Sequence, residues 1–261
     1  MTTVETVRVS PDWLELREGA DAAARSQDLV RLLRDRLSPV VGGLVIHDLG
    51  CGTGAMERWL APLLPGPQEW ILHDRDPELL ALAGGATRLS DVTRLEQDEL
   101  AGASLVTASA LLDLLTEDEL DGLVAACSAA GCPVLFALSV TGRVQLLPAD
   151  SFDSRVAAAF DAHQRRTTPR GRLLGPDAVD AAVSAFRRLG AEVLVRPSPW
   201  RLGGSDGDLT AAWLTGWVDA ACEQEPGLAP DAELYLQRRF REAEAGCLAV
   251  TVGHADLLVL P

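Results

Sequence analysis

The 261-residue chain predicts an α/β fold built on a doubly wound parallel sheet, and three observations lead there. Between residues 44 and 140, short runs rich in Val, Leu and Ile alternate with helical patterns. The runs are apolar at nearly every position, as in strands covered on both faces. A glycine or an acid closes each of the first three, at the edge where such sheets hold ligands.

Residues 12 to 37, DWLELREGADAAARSQDLVRLLRDRL, carry apolar positions at helical spacing without proline and predict N-terminal helices. GLVIHDLG (43–50) is a buried strand, and AMERWLAPLL (55–64) a helix stopped near Pro65-Gly66-Pro67. EWILHD (69–74) is the second strand, followed by PELLALA (77–83), a helix opening on Pro77. ATRLSD (86–91) and ASLVTASA (103–110) supply the third and fourth strands. TEDELDGLVAACSAAG (116–131) is a helix capped by Thr116 with acids in its first turn, and PVLFALSV (133–140) the fifth strand. After residue 140 the rhythm changes. A helix over 151–163 leads to the loop RRTTPRGR (165–172), then come a helix over 177–189 and the strand AEVLVRP (191–197). Residues 201 to 246 read as a second helical excursion, and CLAVTVGHADLLVLP (247–261) as a closing strand.

Composition narrows the function classes. A hydrophobic content of 48% supports a full core, and no apolar run reaches the roughly 18 residues of a membrane span. The opening MTTVETVRVSPDW lacks a leader layout, so a cytoplasmic protein without a membrane partner is expected. The net charge of −15 repels phosphate backbones and argues against nucleic acid. Five scattered cysteines show no metal-ligand spacing and read as reduced thiols. All 23 basic residues are Arg, which excludes a lysine-bearing phosphate loop and Schiff-base chemistry.

The turn after the first strand reads Asp48-Leu-Gly50-Cys-Gly52-Thr-Gly54. Three glycines permit positive φ and close backbone approach by a ligand. The acid suits a cationic ligand better than a pyrophosphate, and the GxGxG spacing differs from the GxGxxG of dinucleotide sites. Asp74 ends the second strand about 20 residues on, Asp91 ends the third, and TASALLDLL follows the fourth.

Taken together, these elements over residues 44–115 resemble class I (Rossmann-like) S-adenosylmethionine-dependent methyltransferases. The resemblance implies a seven-stranded sheet of order 3-2-1-4-5-7-6, its last strand antiparallel. It implies one domain over 1–261: N-terminal helices (1–40), a donor-binding half (41–140) and a substrate-side half (141–261) with helical lid insertions at 141–190 and 201–246. Donor contacts are expected from Gly50, Gly52, Gly54, Asp48, Asp74, Arg75, Asp91, Val92 and Ser109, with Arg25 pairing the methionine carboxylate. The acceptor is expected to be a small molecule methylated at oxygen, hydroxyl or carboxylate, or at carbon. Two rival readings are a non-catalytic S-adenosylmethionine-binding module and an NAD-dependent oxidoreductase.

For the acceptor side, His163, His254 and Asp113 are the candidate proton-transfer groups, with Asp256 as a partner for His254 two residues along one strand face. Arg143, Arg166 and Trp200 are the candidate substrate contacts. Arg166 belongs to an arginine cluster with Arg165, Arg170 and Arg172, for which a solvated loop is the alternative. His47 and His73 read as structural. The Trp213/Trp217 pair reads as packing, with a monomer or homodimer both allowed.

Overall fold

A computed structural model describes residues 9–261; the leaderless reading of the N-terminus falls largely on residues outside these. Ser10 opens α1 (Pro11–Ala24) by accepting from the Trp13 N–H at 3.1 Å, and Ser26 likewise caps α2 (Gln27–Leu37). The alternating region follows as β1 (Leu44–Leu49), α3 (Ala55–Leu60), β2 (Gln68–Asp74), α4 (Pro77–Leu82), β3 (Ala86–Leu89), β4 (Leu105–Ser109), α5 (Glu117–Ala130) and β5 (Val134–Leu147). Next come α6 (Asp153–Gln164), a hairpin of β6 (Thr167–Thr168) and β7 (Gly171–Arg172), α7 (Ala178–Arg188), β8 (Glu192–Pro197) and β9 (Trp200–Leu202). The chain ends with α8 (Gly207–Gln224), α9 (Ala229–Glu244) and β10 (Ala249–Leu260).

The sheet order is β3-β2-β1-β4-β5-β10-β8, with β10 antiparallel to both neighbours. Counted along these seven strands it is the expected 3-2-1-4-5-7-6. One face is covered by α5 and α7, whose Leu120, Leu123, Val124 and Phe186 pack on Val106, Phe136 and Leu257. On the other face α2 and α3 bring Leu29, Leu33 and Met56 against Ile46, Leu72 and Leu135. A third core joins α6, α8 and α9 to β9 and the far ends of β5 and β10 through Phe152, Trp217, Tyr235 and Val250.

Two boundaries differ from the sequence reading. The fifth strand does not end at residue 140: it runs to Leu147, and its extension pairs with Ala249–Val252. The segment 141–190 is also not wholly a lid, because α7 buries Ala178, Ala182, Ala185 and Phe186 against the sheet as an ordinary crossover helix. Neither point is visible in periodicity, since a polar-edged strand extension and a packed amphipathic helix look alike from one chain segment.

β5 stays paired with β10 over this length through two irregularities. At the outer one, Thr141–Arg143 face Gly253, where a Cβ would lie 2.6 Å from Thr141 Oγ1 and 3.0 Å from the Arg143 carbonyl. Only glycine fits there. At the inner one, Leu138 takes a φ of +56° and its N–H donates to Asp256 Oδ1 at 2.8 Å. Asp256 also accepts from Ser198 Oγ at 2.6 Å and from the Ser26 N–H at 2.7 Å. One buried carboxylate therefore joins α2, the bulge of β5 and the β8–β9 connection.

Removing it leaves two buried donors and the half-buried Ser26 N–H without a partner. Asp256→Ala should cost about 3 kcal/mol, read as a lowered urea midpoint at unchanged slope; a loss below roughly 1 kcal/mol would sink this account of the bulge.

Candidate active site

The carboxyl ends of β1 to β4 and the middle of β5 open on a cavity of about 580 Å³. Its floor is the glycine turn, where Gly50, Gly52 and Gly54 have φ of +67°, +56° and +84°. A Cβ at Gly52 would meet Leu14 of α1 at 3.0 Å, so the first helix is laid directly on the turn. The turn is pinned to the end of β2: Cys51 N–H donates to the His73 carbonyl at 2.9 Å and Gly52 N–H to Asp74 Oδ2 at 2.8 Å. Ala110, beyond β4, also holds a positive φ of +52°, and both it and Leu138 line the cavity. Two strained non-glycine residues at one cavity mark where the backbone is shaped for something other than stability.

Charged groups ring the donor half. Asp48 is 1% exposed; Oδ1 accepts from Thr107 Oγ1 at 2.7 Å, while Oδ2 has no partner. Desolvation pushes its pKa up to about 7, against the Thr107 hydrogen bond and the charge of Arg25. Arg25 is 3% exposed, donates Nη2 to Ser109 Oγ at 3.1 Å and lies 5.0 Å over the Trp59 ring. Its Nε and Nη1 have no partner. Asp74 accepts Gly52 N–H on Oδ2 and Asp76 N–H on Oδ1, leaving lone pairs on both oxygens for a ligand. Asp91 takes both Thr93 donors on Oδ1; desolvation would raise it, but those bonds with Arg75 and Arg94 leave it below the usual carboxylate range.

The other half of the cavity is aromatic, walled by Trp13, Phe160, Trp200 and Trp213. Arg17 lies there between two rings, 5.9 Å from the Trp13 centroid and 5.0 Å from that of Trp200. It pairs with Asp21, which also accepts from Trp200 Nε1 at 2.9 Å. Asp113 faces the cavity with a buried Oδ1 that has no partner, and desolvation raises its pKa while Arg17 and Arg166 oppose the shift.

Twelve of the sixteen residues expected at the site from sequence line this one cavity: Arg25, Asp48, Gly50, Gly52, Asp74, Arg75, Asp91, Val92, Ser109, Asp113, Trp200 and His254. Gly54 lies behind the turn as the N-cap of α3, close to Arg58, Ala83 and Leu72. His163 faces away: Nε2 meets Glu223 at 3.2 Å, tying α6 to α8 outside the cavity. Arg166 folds back on the His163 carbonyl at 3.1 Å, and Arg143 is exposed on a groove across the sheet. Asp256 does not orient His254: its hydrogen bonds come from Ser26, Leu138 and Ser198, and His254 Nδ1 has no partner. Of the arginine cluster, Arg165 is paired with Asp177 and Arg170 with Glu119. His47 and His73 form a buried pair at 2.9 Å that continues to Ser90 Oγ, the structural role expected of them. Trp213 and Trp217 stack at 5.0 Å inside the protomer, so this pair is not an open subunit face.

Trp13 and Arg17 went unassigned in the sequence. Their signal was there: Trp13, Arg17 and Asp21 recur at i, i+4 and i+8 on α1, one stripe facing the cavity.

No protein-family model matches the chain, and no curated protein matches it. Among solved structures it resembles the cyclopropane synthase MmaA2 from Mycobacterium tuberculosis, at 13% identity and a TM-score of 0.49, over 96% of this chain and 94% of that one. It also resembles the S-adenosylmethionine-dependent methyltransferase from Geobacter sulfurreducens in complex with S-adenosylhomocysteine, at 13% identity and a TM-score of 0.44, over 97% and 98%. A third is the mycolic acid cyclopropane synthase CmaA1 with the same nucleoside, at 12% identity and a TM-score of 0.44, over 95% and 99%. The strand order and the glycine turn after β1 decide the architecture. The fold is the doubly wound α/β sheet that the sequence predicts, in the order 3-2-1-4-5-7-6. Among the described residues no group of His, Cys, Asp or Glu is arranged to hold a metal ion, and no helix is long and apolar enough to cross a membrane.

Burial keeps two imidazoles of this region neutral, His73 with a pKa near 4 and His254 near 3, against an ordinary 6.5. Between pH 6.5 and about 4 the unfolded chain takes up protons that the folded chain refuses. Stability should therefore fall with pH across that window. His254→Leu should flatten the fall in urea midpoints measured from pH 7 to pH 4; an unchanged slope would refute the neutral, buried assignment.

Proposed function

We propose that the chain transfers a methyl group from S-adenosylmethionine to an oxygen of a small-molecule acceptor. The observation that carries this is the pairing of two orphaned groups at one cavity wall: the Nε/Nη1 edge of Arg25 and Oδ2 of Asp48. An amino acid zwitterion satisfies both, its carboxylate on the guanidinium and its ammonium on the acid. Across the glycine turn, Asp74 has lone pairs for a ribose diol, and Asp91 with Val92 borders space for the base. Bound there, the donor supplies an electrophilic sulfonium methyl.

The same geometry weighs against a dinucleotide. A pyrophosphate needs free loop amides, yet Cys51, Gly52 and Gly54 donate theirs to His73, Asp74 and Cys51. Continuity of the cavity into the aromatic half favours an enzyme over a binding module, since an acceptor can reach the donor without crossing solvent.

Asp113 is the proposed proton acceptor for an acceptor hydroxyl. It lies in the aromatic half with an unpartnered oxygen and a raised pKa, which brings a carboxylate toward the range of a working base. His254 is held at about 3 and is a poor base. Arg25, Asp48 and Asp74 act by alignment, and the apolar walls exclude water from the displacement.

Two measurements test the donor site. Titration calorimetry should show micromolar binding of S-adenosylmethionine and S-adenosylhomocysteine and none of NAD, with Asp74→Ala weakening the nucleoside by about 1.5–3 kcal/mol. Because the ammonium favours ionised Asp48, nucleoside affinity should rise with pH up to about 7 and then level, a rise that Asp48→Asn removes. Tight NAD binding, or a flat parental profile, would overturn the assignment.

A further inference from the structure

We infer that the methyl acceptor is a planar aromatic molecule bearing a ring hydroxyl, with Arg17 and Asp113 as the two groups that read its oxygen. The inference rests on the donor assignment above and deepens it. The chain has six Trp, five Phe and one Tyr, and four of these twelve rings converge on the acceptor half of the cavity. These rings belong to the core that α6, α8 and α9 build on β9, and their neighbours hold two of them in fixed orientations. Trp213 is stacked on buried Trp217, and Trp200 is fixed by its hydrogen bond to Asp21 and by the His254 ring at 5.3 Å. Rigid rings offer a flat guest π contact at little ordering cost.

The polar groups in this half match one functional group. Arg17 commits Nε and Nη2 to Asp21, at 3.0 and 3.2 Å, while Nη1 has no hydrogen bond among the described residues. Asp113 lines the same cavity, with its Oδ1 buried there and without a partner. A hydroxyl can donate to the carboxylate and accept from the guanidinium at once, which neither a thioether nor an ammonium group reproduces. A phenol, with a pKa near ~10, loses its proton to a buried carboxylate far more readily than an aliphatic alcohol near ~16. In the step, the ring oxygen gives its proton to Asp113 and its lone pair forms the O–CH3 bond. The electron pair of the broken S–CH3 bond stays on sulfur, leaving a neutral thioether, and Asp113 returns its proton to solvent after release. Arg17 faces the oxygen while it carries charge.

The test uses 2-naphthol, its saturated counterpart 2-decalol, and naphthalene, each titrated by tryptophan fluorescence and calorimetry with and without S-adenosylhomocysteine. 2-Naphthol should bind at least tenfold tighter than either comparison compound. Arg17→Gln should erase the preference over naphthalene. Arg17→Lys, which keeps a cation beside Asp21 but offers no second nitrogen, should erase it too while holding nucleoside affinity within twofold of the parent. Equal binding of decalol and naphthol, or a hydroxyl preference that survives both substitutions, overturns the inference. If the nucleoside binds and no ring compound does, this inference fails alone. If naphthol binds and the nucleoside does not, the donor assignment fails and the ring chamber stands.

Discussion

Three chain segments that are far apart in sequence meet on the carboxylate of Asp256, and the working half of the molecule is built around that meeting. Ser26 starts α2, Leu138 bends β5, and Ser198 turns the chain from β8 to β9; each sends a donor to the same two oxygens. Because the carboxylate satisfies the Leu138 N–H, β5 can carry a left-handed residue in mid-strand without orphaning a buried amide. The bend turns Leu138 toward the cavity and lets β5 run on to Leu147. The extension of β5 and β10 is in turn the floor on which α6, α8 and α9 assemble their own core.

The donor half is organised by electrostatic shortage rather than plenty. Asp48, Asp74 and Asp91 crowd the glycine turn with Arg25 as their buried cation. Asp48 feels this most: with one oxygen on Thr107 and the other bare, burial raises its pKa to about 7. A group left so is poorly satisfied by the protein alone, and a positively charged ligand removes the penalty. Arg25 is its complement, a guanidinium with two nitrogens buried and unmatched. Their charges stabilise each other, and the zwitterionic ligand proposed above would pair with both.

The aromatic half follows another logic. Trp13 and Arg17 come from α1, Phe160 from α6, Trp200 from β9 and Trp213 from α8, so the chamber exists only after both helical excursions dock. Two of these rings are braced, Trp213 by Trp217 and Trp200 by Asp21 and His254. Bracing of this kind is costly to maintain in side chains that could have been Leu or Val, and it preserves ring orientation, which an apolar filler does not need.

Much of this was legible in the chain itself. Alternating apolar runs and helical patterns define a parallel sheet, and the glycine turn after β1 with acids at the ends of β2 and β3 marks the ligand edge, because these signals are local and depend on period and backbone freedom. The glycines and acids expected at the ligand edge were readable for the same reason: they sit at or just past strand ends. The acceptor residues were not. Whether His163 faced inward depended on how α6 rotated against α8, and Glu223 turned it outward. Whether Asp256 served His254 depended on a bulge created by residues more than a hundred positions away. Trp13, Arg17 and Asp21 formed a visible stripe, but only the laying of α1 across Gly52 gave the stripe a cavity to face. By itself the sequence determined the sheet and its ligand edge, with the strand order coming only through the family resemblance; the tertiary structure decided which side chains share the enclosed space, since that depends on contacts between segments no local pattern relates.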